Sequence, residues 1–160
     1  MNELLDIMGK NSFRLNDSEI ARMLGITEEE VTKQLEKLEN DHIIVGYKTL
    51  IDWEKTDIET VTALIELRVT PKRGEGYDEL AKRIYKYPQV KSVYLMSGAY
   101  DLALTVEGKS MKEVALFVAQ KLAPMESVVT TATYFVLRKY KEDGVLFDDD
   151  EKDTRQVITL

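Results

Sequence analysis

The sequence predicts an α+β chain, with a winged helix-turn-helix in front and a ferredoxin-like βαββαβ domain behind. Three patterns carry that prediction. Two helix-capping signatures follow one another across Gly25-Ile26-Thr27, period-two alternation recurs through the second half, and helical periodicity fills the intervals between those strands. A length of 160 residues accommodates one large domain or two small ones, with enough apolar content to bury real cores.

In the front part, residues 1–51, Leu4, Leu5 and Met8 sit at helical spacing and predict a short helix that stops near Gly9. Asn16 with Glu19 three residues on resembles a capping box, opening a helix whose apolar face is Ile20, Met23 and Leu24. Gly25 ends it at a left-handed position. Thr27 and Glu30 repeat the capping signature, and Val31, Leu35 and Leu38 mark the buried stripe of a third helix running to about Asn40. After Asp41-His42 the pattern turns β-like through Ile43, Ile44, Val45, Gly46 and residues 47–51, which completes the wing. Periodicity alone leaves a plain helical hairpin followed by a strand as the other reading. His42 is a wing-corner residue rather than a ligand, since no second ligand type clusters with it. Residues 52–60 read as a hinge, with Trp53 packed at the seam between domains.

In the second part, residues 61–141, a strand at 61–69 precedes the loop Pro71-Lys72-Arg73-Gly74-Glu75-Gly76. That loop lacks the Lys-Ser/Thr pair of a P-loop and reads as a solvated connection, although Lys72 and Arg73 can touch an anion. Tyr77, Leu80, Ala81 and Ile84 form the buried face of a helix, and a hairpin follows over 90–106. Met111, Val114, Ala115, Val118 and Leu122 mark a second helix, Pro124 ends it, and 128–137 is the last strand. The expected sheet is antiparallel with both helices on one face, so the other face needs a cover and pairing with a second copy is expected.

The hairpin is the centre of this part. Val93 and Leu95 alternate with Ser92, Tyr94 and Met96, and Leu102, Leu104 and Val106 alternate with Ala103 and Thr105, on either side of Ser97-Gly98-Ala99-Tyr100-Asp101. The glycine lets the backbone turn where a positive φ is needed, and Asp101 can cap free N–H groups. The corner is either a turn and no more, which spacing alone favours, or a pocket rim suited to a small zwitterion.

The net charge of −7 is uneven, at −6 through Asp57, +4 over 58–141 and −5 over 142–160. The last stretch, with Asp148-Asp149-Asp150-Glu151, reads as a mobile acidic tail whose final Val157-Ile158-Thr159-Leu160 is a frayed end rather than a strand on a neighbour. With no cysteine and one histidine, disulfides, thiolate metal sites and His-rich centres are excluded, and no cofactor is expected. No run approaches the length of a membrane span and Met1–Lys10 lacks the basic start and apolar stretch of a signal peptide, so a cytoplasmic protein is expected. An enzyme has little support, since no carboxylate pair falls in an evident pocket.

Taken together, Arg14-Leu15-Asn16-Asp17-Ser18-Glu19-Ile20-Ala21, Gly25-Ile26-Thr27, Leu38-Glu39 and Ile43-Ile44-Val45-Gly46-Tyr47 resemble the front half of the Lrp/AsnC (feast/famine) transcription factors of bacteria and archaea. Ser97-Gly98-Ala99-Tyr100-Asp101 resembles the family's Thr/Ser-Gly-x-Tyr-Asp, and Thr131-Ala132-Thr133 with Val136-Leu137 resembles its final strand. The likeness runs from about Leu4 to Tyr140. It implies a transcriptional regulator of double-stranded DNA that responds to an amino acid or related metabolite, with a RAM domain as the effector-binding and oligomerisation half. It further implies dimers paired back-to-back through their sheets, assembly to octamers, and an effector near the corner, which carries over to Ser97, Gly98, Tyr100 and Asp101. A hydroxyl and N–H groups there suit an α-carboxylate, and Asp101 an ammonium. The alternative use of that corner is packing between dimers.

The departures concern DNA. Thr27-Glu28-Glu29-Glu30 opens the recognition helix, where acids stabilise the helix but are repelled by phosphate, and Gln34 stands where the family usually has Arg. The DNA-facing set is then Thr27 at the cap, Thr32, Lys33, Gln34 and Lys37, with Arg14 nearby. Lys33 and Lys37 have a blander use as partners of Glu29, Glu30 or Glu36. The acidic front supports a second function, an oligomeric small-molecule sensor or interaction module with weak or lost DNA binding.

Overall fold

A computed structural model describes residues 2–10, 15–70 and 76–147. They fall into two compact units, Met1–Ile51 with Tyr140–Leu160, and Asp52–Lys139.

The first unit is built on three helices, α1 (Asn2–Lys10), α2 (Asp17–Leu24) and α3 (Glu28–Asn40). Both capping boxes form. Asn16 Oδ1 accepts the Glu19 N–H and Glu19 Oε2 accepts the Asn16 N–H, each at 2.9 Å, and Thr27 and Glu30 repeat the exchange at 3.2 and 2.9 Å. Gly25 ends α2 at φ 67, a conformation that costs glycine no steric clash. Leu4, Ile20, Ala21, Val31 and Leu38 make the core, with Leu5, Met8, Leu24, Leu35 and Ile44 packed around it. Met23, expected inside, is exposed: it lies about 110° around the helix from the stripe of Ile20, Ala21 and Leu24.

The β-like run after α3 carries no paired strand. The Ile43 and Ile44 N–H groups both turn back to the Leu38 carbonyl, at 2.9 and 3.1 Å, and Val45 is 90% exposed. A strand is defined by its partner, and residues 43–51 have none among the described residues. A short ribbon, β5 (Lys141–Glu142) with β6 (Val145–Leu146), belongs to this unit and corrects the expectation of a mobile tail from residue 142. Its two loop residues, Asp143 (φ 47) and Gly144 (φ 84), form the type I′ turn that suits strand twist. The acidic run 148–151 and residues 157–160 lie outside the described residues, as do Arg14, Lys72 and Arg73.

The second unit has β1 (Val61–Val69), α4 (Tyr77–Ile84), β2 (Val90–Leu95), β3 (Leu102–Gly108), α5 (Met111–Phe117) and β4 (Val128–Phe135). The sheet is antiparallel in the order β2-β3-β1-β4, the ferredoxin-like arrangement. Ala63, Ile65, Leu67 and Val69 of β1 and Leu102, Leu104 and Val106 of β3 are buried with Leu80 and Ile84 of α4 and Val114 and Phe117 of α5. Both helices therefore cover one face. Leu64 of β1, Tyr94 of β2 and Tyr134 of β4 stay roughly half exposed on the other.

Met111 and Ala115, expected on the buried face of the second helix, are exposed, and Phe117 takes their place. Both precede the π turn over Val118–Leu122, which the Ala123 N–H closes on the Val118 carbonyl at 2.8 Å, and they lie about 70° and about 110° around the helix from the centre of the buried stripe of Val114, Phe117 and Val118. The last strand stops at Phe135, and Leu137 is exposed. Leu95 is also exposed, at the edge where β2 ends.

Glu30 allows the recognition-helix cap to be tested by pH. The Thr27 N–H and hydroxyl hold the Glu30 carboxyl below the usual carboxylate range. A depressed folded-state pKa gives stability that is present above the unfolded value and lost as pH falls through the folded one. Glu30→Gln is expected to be less stable than the parent at neutral pH, with the gap closing below about pH 4. A gap in chemical denaturation that stays constant from neutral to acid pH excludes this cap. Thr27→Ala should cost about 1 kcal/mol at neutral pH.

Candidate functional site

The α3 surface is sorted by its core. Val31 and Leu38 face inward, which leaves Lys33 and Lys37, one turn apart, on the exposed side. Neither lysine is in a salt bridge among the described residues. Gln34 is half-buried at the edge of this surface, and Thr27 is occupied by the cap. Thr32 is exposed and is also bonded within the unit. Its hydroxyl lies 2.9 Å from Asp17 Oδ2 and 3.1 Å from the Glu28 carbonyl, so it ties α3 to the start of α2. Glu39 accepts the Tyr47 hydroxyl at 2.7 Å, and this bond pushes the Tyr47 phenol above its usual range. His42, at φ 54, has its Nδ1 3.2 Å from the Glu39 carbonyl and closes the C-terminal end of α3.

The corner between β2 and β3 is closed by the Met96 N–H on the Asp101 carbonyl at 2.8 Å. Ser97, Gly98 and Ala99 are exposed, and Tyr100 and Asp101 are half-buried. Gly98 does not adopt a positive φ, which among the described glycines is confined to Gly25 and Gly144, and no heavy atom lies within 4 Å of where its Cβ would be. Neither turn geometry nor packing against the described residues requires glycine there.

Asp101 is committed internally. Its N–H donates to the Leu67 carbonyl at 2.9 Å, its Oδ2 accepts the Val69 N–H at 2.8 Å, and its Oδ1 is 3.5 Å from the Tyr77 hydroxyl. Its side chain adds one rung to the β1–β3 ladder just ahead of the first residue of β3. On the outer face beside it, Arg68 donates to the Ala99 carbonyl from Nη2 at 2.8 Å and Nε at 3.3 Å, and its guanidinium lies 5.7 Å from the Tyr100 ring centre. The nearby Glu66 carboxylate, foremost, pushes the Tyr134 phenol above its usual range.

The four corner residues named from sequence share one loop, but Ser97 and Gly98 are exposed while the Asp101 carboxylate turns to Val69. Sequence reasoning missed Arg68 and Asp17, whose partners lie 31 and 15 residues away along the chain. A concavity of about 440 Å³ at the opposite end of β1, lined by Ile58, Glu59, Thr60, Glu107, Gly108, Lys109 and Glu113, contains none of the expected site residues. Among the described residues no His, Cys, Asp or Glu cluster suits a metal ion, and no helix is long and apolar enough to cross a membrane.

Comparison with known proteins covers both units. The Lrp/AsnC ligand-binding domain model matches residues 62–146. The uncharacterized HTH-type transcriptional regulator YugG of Bacillus subtilis is 49% identical over 98% of this chain and 95% of its own. The HTH-type transcriptional regulator LrpA of Pyrococcus abyssi is 28% identical over 86% of this chain and 94% of its own. In structure, the chain is similar to Escherichia coli AsnC (TM-score 0.64, 19% identity, 87% of this chain and 91% of that one). It is also similar to the Neisseria meningitidis regulator NMB0573 in its L-Met complex (TM-score 0.69, 22% identity, 88% and 89%). At such identities the structural likeness speaks for the fold. With the domain match, the capping boxes of α2 and α3 and the near full-length relative agreeing, the chain belongs to the Lrp/AsnC family of helix-turn-helix transcriptional regulators.

Proposed function

We propose that this regulator reads operator DNA with α3 and responds to a small amino-acid-like effector held at the corner 97–101. The observation that carries the DNA reading is the pair Lys33 and Lys37, exposed one turn apart on the helix face opposite Val31 and Leu38. Basic side chains so placed meet phosphates, and Gln34 beside them carries an amide suited to a base edge. Thr27 and Thr32 hold the helix in position, and Arg14, outside the described residues, is the remaining member of the DNA-facing set. The regulator acts inside the cell where its DNA is, and the reading needs no catalytic step.

The effector reading rests on the exposed Ser97, Gly98 and Ala99 beside Tyr100 and Asp101. The Neisseria meningitidis relative, crystallised with L-Met, makes methionine the first effector to try. The working form is a homodimer paired through the face of Leu64, Tyr94 and Tyr134, with further assembly to an octamer. A second reading, a sensor whose DNA binding has weakened, is favoured by Glu28 and Glu29, both exposed in the first turn of α3.

Two measurements test these proposals. Binding to DNA from upstream of the protein's own gene should fall steeply with salt and resist competitor DNA. Changing Lys33 and Lys37 to Glu should lower that affinity by about 100-fold and flatten the log–log salt slope by about two, with assembly intact. Unaltered affinity in the double variant sinks the α3 assignment, and no binding by the parent even at low salt selects the sensor reading. Separately, Leu64→Glu should convert the dimer to monomer in sedimentation, whereas an unchanged mass would remove the open face as the interface.

A further inference from the structure

We propose that Arg68 is the anion-holding group of the corner, receiving the α-carboxylate of a free amino acid on its guanidinium, while Asp101 serves the fold. This rests on the reading of residues 97–101 as the effector site and changes which residue binds. The carboxylate of Asp101 spends Oδ2 on the Val69 N–H, so it is a poor first choice to meet a ligand's ammonium. Arg68 is differently placed. Its neighbours on β1, Leu67 and Val69, are buried in the core, so its own side chain stands on the outer face, beside the corner.

A guanidinium has five N–H donors, and here a single acceptor, the Ala99 carbonyl, takes Nε and one from Nη2. Three remain. The side chain is exposed, and no carboxylate is in salt-bridge distance of it among the described residues. The result is a full positive charge without a counter-charge, on a planar fork that matches a carboxylate two bonds at a time. Two restraints, the carbonyl and the Tyr100 ring, already order that fork, which lowers the cost of ordering it on binding. The corner it reaches is exposed at Ser97, Gly98 and Ala99, and a Cβ on Gly98 would meet nothing within 4 Å.

The test is calorimetric titration of the full chain with each of the twenty L-α-amino acids, followed by the α-amide of whichever binds. The parent should bind the acid about 30-fold more tightly than its amide, as a charge-assisted pair requires. Arg68→Met should weaken binding of the acid by a similar factor and lose the preference for acid over amide, an effect that a merely structural role would not produce. Arg68→Lys, which keeps the charge without the fork, should retain part of that preference, and it decides the matter if the Met variant does not fold. An acid-over-amide ratio left intact by both variants overturns the assignment of Arg68 and leaves the corner as the effector site. No binding of any of the twenty to the parent overturns the effector reading itself, and Arg68 with it.

Discussion

The ladder between β1 and β3 is the constraint on which the second unit depends. β1 is paired on both sides, and its alternate residues Ala63, Ile65 and Leu67 are completely buried, so nothing about its register is free. A one-residue slip would bring Leu64, Glu66 and Arg68 into the core and put the buried set in water. The corner inherits this rigidity. Asp101 binds Leu67 through its backbone and Val69 through its carboxylate, so the loop is referenced to the last turns of the core strand rather than to its own flexible residues. Arg68, between those two anchor points, holds the far side of the same loop at the Ala99 carbonyl.

The first unit solves a conflict between helix formation and DNA. Acids in the first turn of α3 stabilise it through the helix dipole, yet they repel phosphate. The acids are not equivalent, however. Glu30 turns back onto Thr27, Glu19 onto Asn16, Asp17 faces Thr32 and Glu39 takes the Tyr47 hydroxyl. Their charges remain, but each is directed at a donor within the unit. The acids of the first turn of α3 left to face outward are Glu28 and Glu29, set against Lys33 and Lys37 further along the same helix.

What was legible in the sequence is what local chemistry determines. Asn16/Glu19 and Thr27/Glu30 are complete capping boxes within four residues each, and the βαββαβ order follows from a change of period that needs no partner to be seen. Where a partner decides, the sequence was silent or misleading. Residues 43–51 have strand-like composition and no strand to pair with among the described residues. Met111 and Ala115 recur at helical spacing with Val114 and Val118 but fall beside the stripe the sheet covers, which runs through Phe117 instead. Arg68 reads as one more exposed strand residue until Ala99 and Tyr100, more than thirty residues on, are brought beside it. One miss was avoidable: Asp143-Gly144 between Glu142 and Val145 is a local turn signal, masked by the acidic composition that surrounds it.

The outer face of β1 links the proposed assembly surface to the proposed ligand group. Leu64, Glu66 and Arg68 succeed one another on that face at intervals of about 7 Å, so the surface proposed to meet a second copy runs into the corner along a single strand. Tyr134, opposite Leu64 on β4, already feels the Glu66 carboxylate, which gives that face a polar centre inside an apolar surround. A carboxylate received at Arg68 would change the charge at one end of this row without disturbing the buried row behind it. Coupling between ligand and assembly then needs no rearrangement of the core. It needs only that two copies meet over side chains whose charge balance the ligand has altered, and the rigidity of β1 turns that local change into a difference in how well the two faces fit.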